Sequence, residues 1–478
     1  MKDSSYTIED LASWNERIVE VAKSFGLDLF PQEFEICDHE QMLAYMAYSG
    51  MPSHYPHWSY GKSYERLKTL YDYGVSGLPY EMVINSNPAV AYLMRDNTLL
   101  LQILTMAHVY GHNDFFKNNF TFKSTRPQYT IETFKAHADR VRHYIEDPSI
   151  GLEKVERVLD AAHAVSLQCR RNLAIRKETP QEELERRLEE SRPAPDPFRR
   201  IHRAQEYTAP DLRKVPLYPD EDLLLFIRDH NPHFSDWEKD LLTIAHETAQ
   251  YFIPQIETKI MNEGWASLWH KRIVEALDLP QGMKLEFMVR HNQVLSPTPG
   301  GINPYHLGYK VWEDIEKRWD HPTPEEIRDY GPRQKKGREK IFEVREVERD
   351  ASFLRRYLTE DLVRELNLVE YRNRGNEKII SRVADEENWK DIKENLIRNV
   401  GMGTIPVIKV EDADYNHNRT LFLKHYHDGR DLHLEYAEKT LKHLYDLWGR
   451  EVVLETVING KRSLLYFAQD RITIKPLQ

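Results

Sequence analysis

A chain of 478 residues that is 40% hydrophobic and 11% aromatic has enough apolar side chains to build a buried core, which excludes a disordered chain. Its 66 basic residues are outnumbered by 77 acidic ones, and a net charge of -11 repels a phosphate backbone, which argues against nucleic acid as the main partner. Only Cys37 and Cys169 occur, outside any Cys-x-x-Cys spacing, so neither a disulfide framework nor a thiolate zinc site is expected and any metal must be held by nitrogen and oxygen.

From the N-terminus, Met1-Lys2-Asp3-Ser4-Ser5-Tyr6 lacks the apolar run of a signal peptide, and no stretch of about 18 apolar residues follows, so no transmembrane segment is expected and the expected location is the cytoplasm. Apolar residues recur at three and four over Ile8 to Phe25, Met42 to Tyr48, Tyr64 to Tyr73, Pro88 to Met94, Thr98 to Phe116, Ile131 to Ile145 and Leu152 to Leu173, predicting a helical domain over residues 1–176. Residues 177–200 turn charged and then proline-broken, as a linker or exposed arm does. Helical pattern resumes at Asp220 to Asp229 and Asp236 to Phe252, is interrupted by Pro254, and runs again from Gln255 or Thr258 through Leu277. Residues 201–331 are thus expected to form a second helical block packed on the first. The last region, 332–478, opens with a charged helical connection, Arg333 to Asp350, followed by Ser352 to Leu366. Strand-like segments come next at Leu368 to Tyr371, Lys378 to Val383, Ile405 to Val410, Thr420 to Tyr426, Glu451 to Ile458 and Ser463 to Phe467, with a helix over Leu432 to Trp448 and a hairpin turn at Asn459-Gly460. The expected fold is mainly α, a large multi-helix N-terminal body with a smaller C-terminal α+β module. There is no internal repeat, P-loop, Gly-x-Gly-x-x-Gly or Gly-x-Ser-x-Gly.

The first residues that could carry chemistry are His108 and His112, followed by Asp114, Asn118 and Asn119. Positions i and i+4 lie one helical turn apart, about 6 Å between Cβ atoms, so both imidazoles can reach one metal ion or one proton-transfer site. The same spacing also suits a hydrogen-bonded pair in a core. Gly111 lies between them, although glycine in a helix interior costs about 1 kcal/mol relative to alanine, which indicates a close approach to the backbone there.

Further along, His246-Glu247 begins like the His-Glu-x-x-His of zinc peptidases, but Gln250 stands where the second histidine belongs, and an ordinary helical dipeptide is the simpler reading. Asn262-Glu263-Gly264 is more informative, because a carboxylate in an apolar, Trp-rich helix is costly to bury without a partner. A metal or a histidine would supply one. His270 follows two turns later on the same face. Other candidates are His57 within Pro56 to Lys62, Glu81, and His137 with Arg140. The aromatic stretch Tyr55 to Tyr60 could stack a sugar or peptide, although core packing is the simpler account of Trp58 and Tyr60.

Several phrases together resemble the stage V sporulation protein R (SpoVR) family: Pro56-His57-Trp58-Ser59-Tyr60-Gly61-Lys62, Ile84-Asn85-Ser86-Asn87-Pro88, His108-Val109-Tyr110-Gly111-His112-Asn113-Asp114, Tyr251-Phe252-Ile253-Pro254-Gln255, Met261-Asn262-Glu263-Gly264-Trp265-Ala266 and Ile302-Asn303-Pro304-Tyr305-His306. The phrases that contain His108, His112 and Glu263 belong to the family pattern; His246-Glu247 does not clearly do so. The resemblance implies a cytoplasmic bacterial protein associated, in endospore formers, with formation of the spore cortex. It also implies relatives in bacteria that make no spores, for which cortex assembly would be one use of a more general activity.

Two functions follow as expectations. In the first, the chain is a metal-dependent hydrolase whose ligands are His108, His112 and Glu263, with zinc the expected ion and manganese or iron favoured by a site richer in carboxylates. Glu247 or Glu81 would be the general base, and His270 or His137 would act from behind the ligands. In the second, the chain is a non-enzymatic assembly or regulatory factor that binds other sporulation or cell-wall proteins, and the cluster fixes helix packing. A cytoplasmic hydrolase would meet precursors or regulators of the cortex rather than the finished layer. Nothing in the pattern sets an oligomeric state.

Overall fold

Thr98 ends an extended stretch, and its hydroxyl accepts a hydrogen bond from the Leu101 amide, which starts the helix Leu99–Asn118. This helix is buried on every face from Leu100 to Phe116. Several of its polar residues are paired within the protein. Gln102 reaches the Tyr6 hydroxyl and the Met94 carbonyl, and Asn113 both donates to and accepts from the backbone of Phe30.

The computed structural model describes residues 6–73, 81–171, 178–190, 220–298, 301–374, 377–383, 385 and 387–477. Its contacts divide the chain into two compact units, each made of two separate stretches: residues 1–143 with 250–404, and residues 144–249 with 405–478.

In the first unit, Leu99–Asn118 packs against the helix Lys259–Ala276, which packs in turn against Pro304–Asp320. Glycine makes these crossings close. A Cβ on Gly111 would lie 2.6 Å from Ala266 Cα, and Gly264 faces Gly308 so tightly that a Cβ on either would overlap the other helix's backbone. Beside the crossing lie Trp265, Trp269 and Trp312, all fully buried, with the Trp312 indole donating to the Met261 carbonyl at 3.0 Å.

A three-stranded sheet borders this core, in the order Gln32–Cys37, Ala89–Met94, Glu81–Ile84, the first pair parallel and the second antiparallel. The stretch expected as a helix over Pro88 to Met94 is thus a central strand. Five of its six residues are buried, and a run apolar on both faces carries no period that separates strand from helix.

The other corrections concern Pro254 and Trp58. The helix Asp236–Glu257 continues through Pro254, and the break comes at Thr258, whose hydroxyl bonds back to the Pro254 carbonyl. Proline this near a helix end removes one N–H donor without stopping the last turn. Trp58 is 49% exposed at the start of Trp58–Asp72, with the Lys62 ammonium over its ring, whereas Tyr55 is buried.

Lys259–Ala276 has no side-chain cap of its own at Thr258. Asp350, from a distant stretch, supplies one: its two carboxylate oxygens accept from the Ile260 and Met261 amides, each at 2.9 Å. Burial raises the Asp350 carboxyl to about 7 against the opposing pull of those amides. Because the folded pKa lies above the unfolded one, the stability this group contributes is complete below about pH 4 and is lost as the pH rises through about 7. Urea unfolding of wild type and Asp350→Asn across that window should show wild type losing ground by on the order of 1 kcal/mol per pH unit. A difference that stays flat with pH would contradict this assignment.

The second unit holds the helices Leu152–Val165 and Leu223–His230, most of Asp236–Glu257, and a five-stranded sheet. Its strand order is Arg471–Pro476, Lys461–Ala468, Val452–Ile458, Thr420–His425, Ile408–Tyr415. All neighbours are antiparallel except Thr420–His425 and Val452–Ile458, which are joined by the crossover helix Leu434–Trp448. Asn459 and Gly460 both take positive φ, 50° and 78°, as a two-residue hairpin turn requires. The expected mainly α chain with a C-terminal α+β module is what forms. Of the stretch read as a linker, Pro180–Glu190 is a helix and residues 191–200 lie outside the described residues. Among the described residues, no helix is long and apolar enough to cross a membrane.

Candidate metal centre

His108 and His112, one turn apart on the buried helix, place their ring centroids 4.6 Å apart and nearly perpendicular. Both Nε2 atoms approach the same oxygen, Glu263 Oε2, at 3.7 and 3.5 Å. Glu81, the first residue of its strand, brings Oε1 to 3.9 Å from His108 Nε2. One ligand atom from each of Glu81, His108 and His112 lies within 4.8 Å of the others, so these residues could hold a metal ion. The imidazoles are 4% and 8% exposed and the carboxylates 17% and 18%.

The outer nitrogens of both rings are held. His112 Nδ1 donates to Asn262 Oδ1 at 2.9 Å, and His108 Nδ1 meets His270 Nδ1 at 2.9 Å. His270 Nε2 meets His291 Nδ1 at 2.8 Å, on the helix Gln281–Val294. By contrast, His108 Nε2 and Glu263 Oε2 are buried without a hydrogen-bond partner. The two atoms face each other at 3.7 Å, a separation that leaves room for a cation between them.

The electrostatics separate the two carboxylates. Burial, with the Glu263 charge adding to it, raises Glu81. Burial acts on Glu263 as well, but His108, His112 and Lys259 outweigh it and hold that carboxyl below the usual range. His112 is pushed down to about 4 by burial and by His108, against the opposing pull of Glu263 and Asn262. The Glu263 charge, burial and Glu81 raise the Tyr305 hydroxyl, which keeps its proton.

Of the residues singled out in sequence, His108, His112, Glu263, Glu81 and His270 come together. His137 is buried elsewhere in the first unit, beside Phe134 and His54. Glu247 is exposed and belongs to the second unit, next to His246, whose Nε2 lies 2.8 Å from the Asp222 carboxylate. Among the candidate bases, Glu81 is therefore the one beside the histidines. Asp114 faces away from the cluster's ligand atoms and binds Arg345, the Trp265 indole and the Asp28 amide. Asn262, His291 and Tyr305 escaped the sequence reading as participants. Asn262 and Tyr305 sit within phrases already noted, whereas His291 carries only a helical spacing from Phe287.

Comparison with known proteins covers the chain almost end to end. The family model described as SpoVR like protein matches residues 5–405, and that of the SpoVR-like C-terminal domain matches residues 406–459. The junction between them coincides with the return of the chain to the second unit at Ile405. The "Uncharacterized protein YcgB" of Escherichia coli (strain K12) is 34% identical over 476 residues, spanning 94% of this chain and 92% of the relative. No solved structure matches.

Proposed function

The chain belongs to the SpoVR family, and we propose that it is a metal-dependent hydrolase whose ion, zinc ahead of manganese or iron, is held by His108, His112 and Glu263. The distances carry this reading. Ligand atoms bound at about 2.0–2.1 Å to a tetrahedral ion stand roughly 3.4 Å apart, and the Nε2 to Oε2 separations are 3.5 and 3.7 Å. Two imidazoles and a carboxylate form a nitrogen and oxygen donor set suited to zinc, and Glu81 as a fourth donor would move the preference toward manganese or iron. Asn262 orients the His112 ring, as partners behind metal-bound histidines do.

A divalent ion in this set would lower the pKa of a bound water to about 7 and polarise a substrate carbonyl. Glu81 is the general base: its raised carboxyl stands beside the ligands, while Glu263, held below the usual range, is left to the ion. Tyr305, kept protonated, is a donor for negative charge that develops on the substrate. Family membership suggests a sporulation-related role. The finer proposal is that the substrate is a precursor or regulator of the cortex peptidoglycan, and that partners are other sporulation or cell-wall proteins.

Metal analysis of purified protein tests the ligands. Wild type should carry about one equivalent of divalent metal and His112→Ala should lose most of it; a folded wild type that takes up no zinc, manganese or iron overturns the assignment. In a spore former, Glu263→Gln that accumulates and folds normally should still give spores lacking resistance. Normal spores would instead favour a structural role for the cluster.

A further inference from the structure

Behind His108 runs a chain of three imidazoles whose hydrogen bonding allows few arrangements. It consists of two contacts, His108 Nδ1 to His270 Nδ1 at 2.9 Å and His270 Nε2 to His291 Nδ1 at 2.8 Å. Each contact needs one hydrogen between its two nitrogens, because two bare lone pairs repel and two N–H groups collide. Three neutral rings carry one hydrogen each. Two of these fill the contacts, and the third must sit at an end of the chain, on His108 Nε2 or on His291 Nε2.

Only two arrangements are then fully bonded. With the hydrogen on His291 Nε2, every ring donates outward, and His108 presents a bare Nε2 lone pair to Glu263 and Glu81. With the hydrogen on His108 Nε2, every ring donates inward, and that N–H faces the two carboxylates. The first arrangement can bind a metal and the second cannot. His270 is fully buried and His291 is 7% exposed, surroundings that favour the neutral form of an imidazole.

We infer that His270 and His291 are positioning residues that set the tautomer of His108, so that metal capture at His108 Nε2 switches all three rings together and is registered at His291. The inference rests on the metal reading of the cluster. It gives His270 a defined role and adds His291 to the centre, from a different helix, Gln281–Val294. The order of donor and acceptor also specifies which replacement should work. At position 270, glutamine can accept from His108 Nδ1–H through its carbonyl oxygen and donate to His291 Nδ1 through its amide, whereas phenylalanine fills a similar space and can do neither.

The test is zinc titration of the full chain against a competing chelator. His270→Phe should bind zinc about 10- to 100-fold more weakly than wild type, the loss typical of removing a partner behind a metal-bound histidine, and His270→Gln should recover most of that loss. His291→Phe, at the far end and less central to folding, should weaken binding several-fold. A second readout is the nitrogen-15 spectrum of histidine-labelled protein, with the His291 signals identified by their absence from His291→Phe. Zinc should move the His291 hydrogen to Nε2. If wild type binds zinc and all three variants match it, or if zinc leaves the His291 tautomer unchanged, the positioning role is wrong while the metal centre stands. If wild type binds no zinc, the metal reading falls and the inference falls with it.

Discussion

Gly264→Ala should leave the protein severely destabilised, although alanine is the better helix former by about 1 kcal/mol. The sign reverses because the new methyl would overlap Gly308 and the Tyr309 amide, and the neighbours it meets are backbone rather than yielding side chains. Relief requires the helices Lys259–Ala276 and Pro304–Asp320 to separate. That opens voids around Trp265 and Trp312, whose rings pack 4.9 Å apart beside the crossing. A cost of about 3 kcal/mol or more is expected, at or above the top of the usual overpacking range. Since the same helix carries Glu263 and His270, any folded remainder should also bind metal poorly. Gly282→Ala is the control: a Cβ there meets nothing within 4 Å inside the helix Gln281–Val294, so it should stabilise by up to about 1 kcal/mol. Urea unfolding of the two variants decides the matter, and equal midpoints for Gly264→Ala and wild type would refute the packing argument.

Asp114→Asn should be comparably damaging, for an electrostatic reason. Asp114 is fully buried and Arg345 is 3% exposed. The Arg345 Nη1 lies 2.7 Å from both carboxylate oxygens, and the Asp28 amide at 2.8 Å, the Trp265 indole at 2.9 Å and the Asn118 amide at 3.4 Å are further donors. Removing the negative charge leaves a buried guanidinium with only the half-exposed Glu346 carboxylate as an ionic partner, which costs about 3 kcal/mol. The pair need not be stabilising in itself, because desolvating both ions offsets most of their attraction. Asp114→Leu combined with Arg345→Met should therefore be more stable than Asp114→Asn alone. A double variant that is the least stable of the three would show that the pair contributes more than charge cancellation.

Much of the fold was legible because its signals were local. The helix around His108 announced itself through an apolar run opened by Thr98, and the hairpin at Asn459-Gly460 through two residues that tolerate positive φ. Gly111 also read correctly as a close approach, met by Ala266. The strand Ala89–Met94 was not legible, because an apolar run buried on both sides has no face to display. Within the site, the histidine pair and Glu263 stood out by spacing and by the cost of burying a carboxylate. Glu81 could be named but not placed, since a four-residue strand has too few positions to show a period. His291 was invisible because its significance lies in what it touches across two helices, and contact between distant stretches leaves no trace in the local pattern.

The interleaving of the two units bears on how the protein is made. His108 and His112 belong to the first stretch of their unit and Glu263 and His270 to its second, with the whole opening stretch of the other unit between them. A ribosome therefore releases the fully buried helix Leu99–Asn118 long before the helix Lys259–Ala276 that packs on it exists. During that interval Leu100 to Phe116 has nothing of its own unit's second stretch to pack against, and the nascent chain is at its most exposed to aggregation. No single cut of the gene yields either unit intact, so the cluster can be produced only by a chain translated past residue 270.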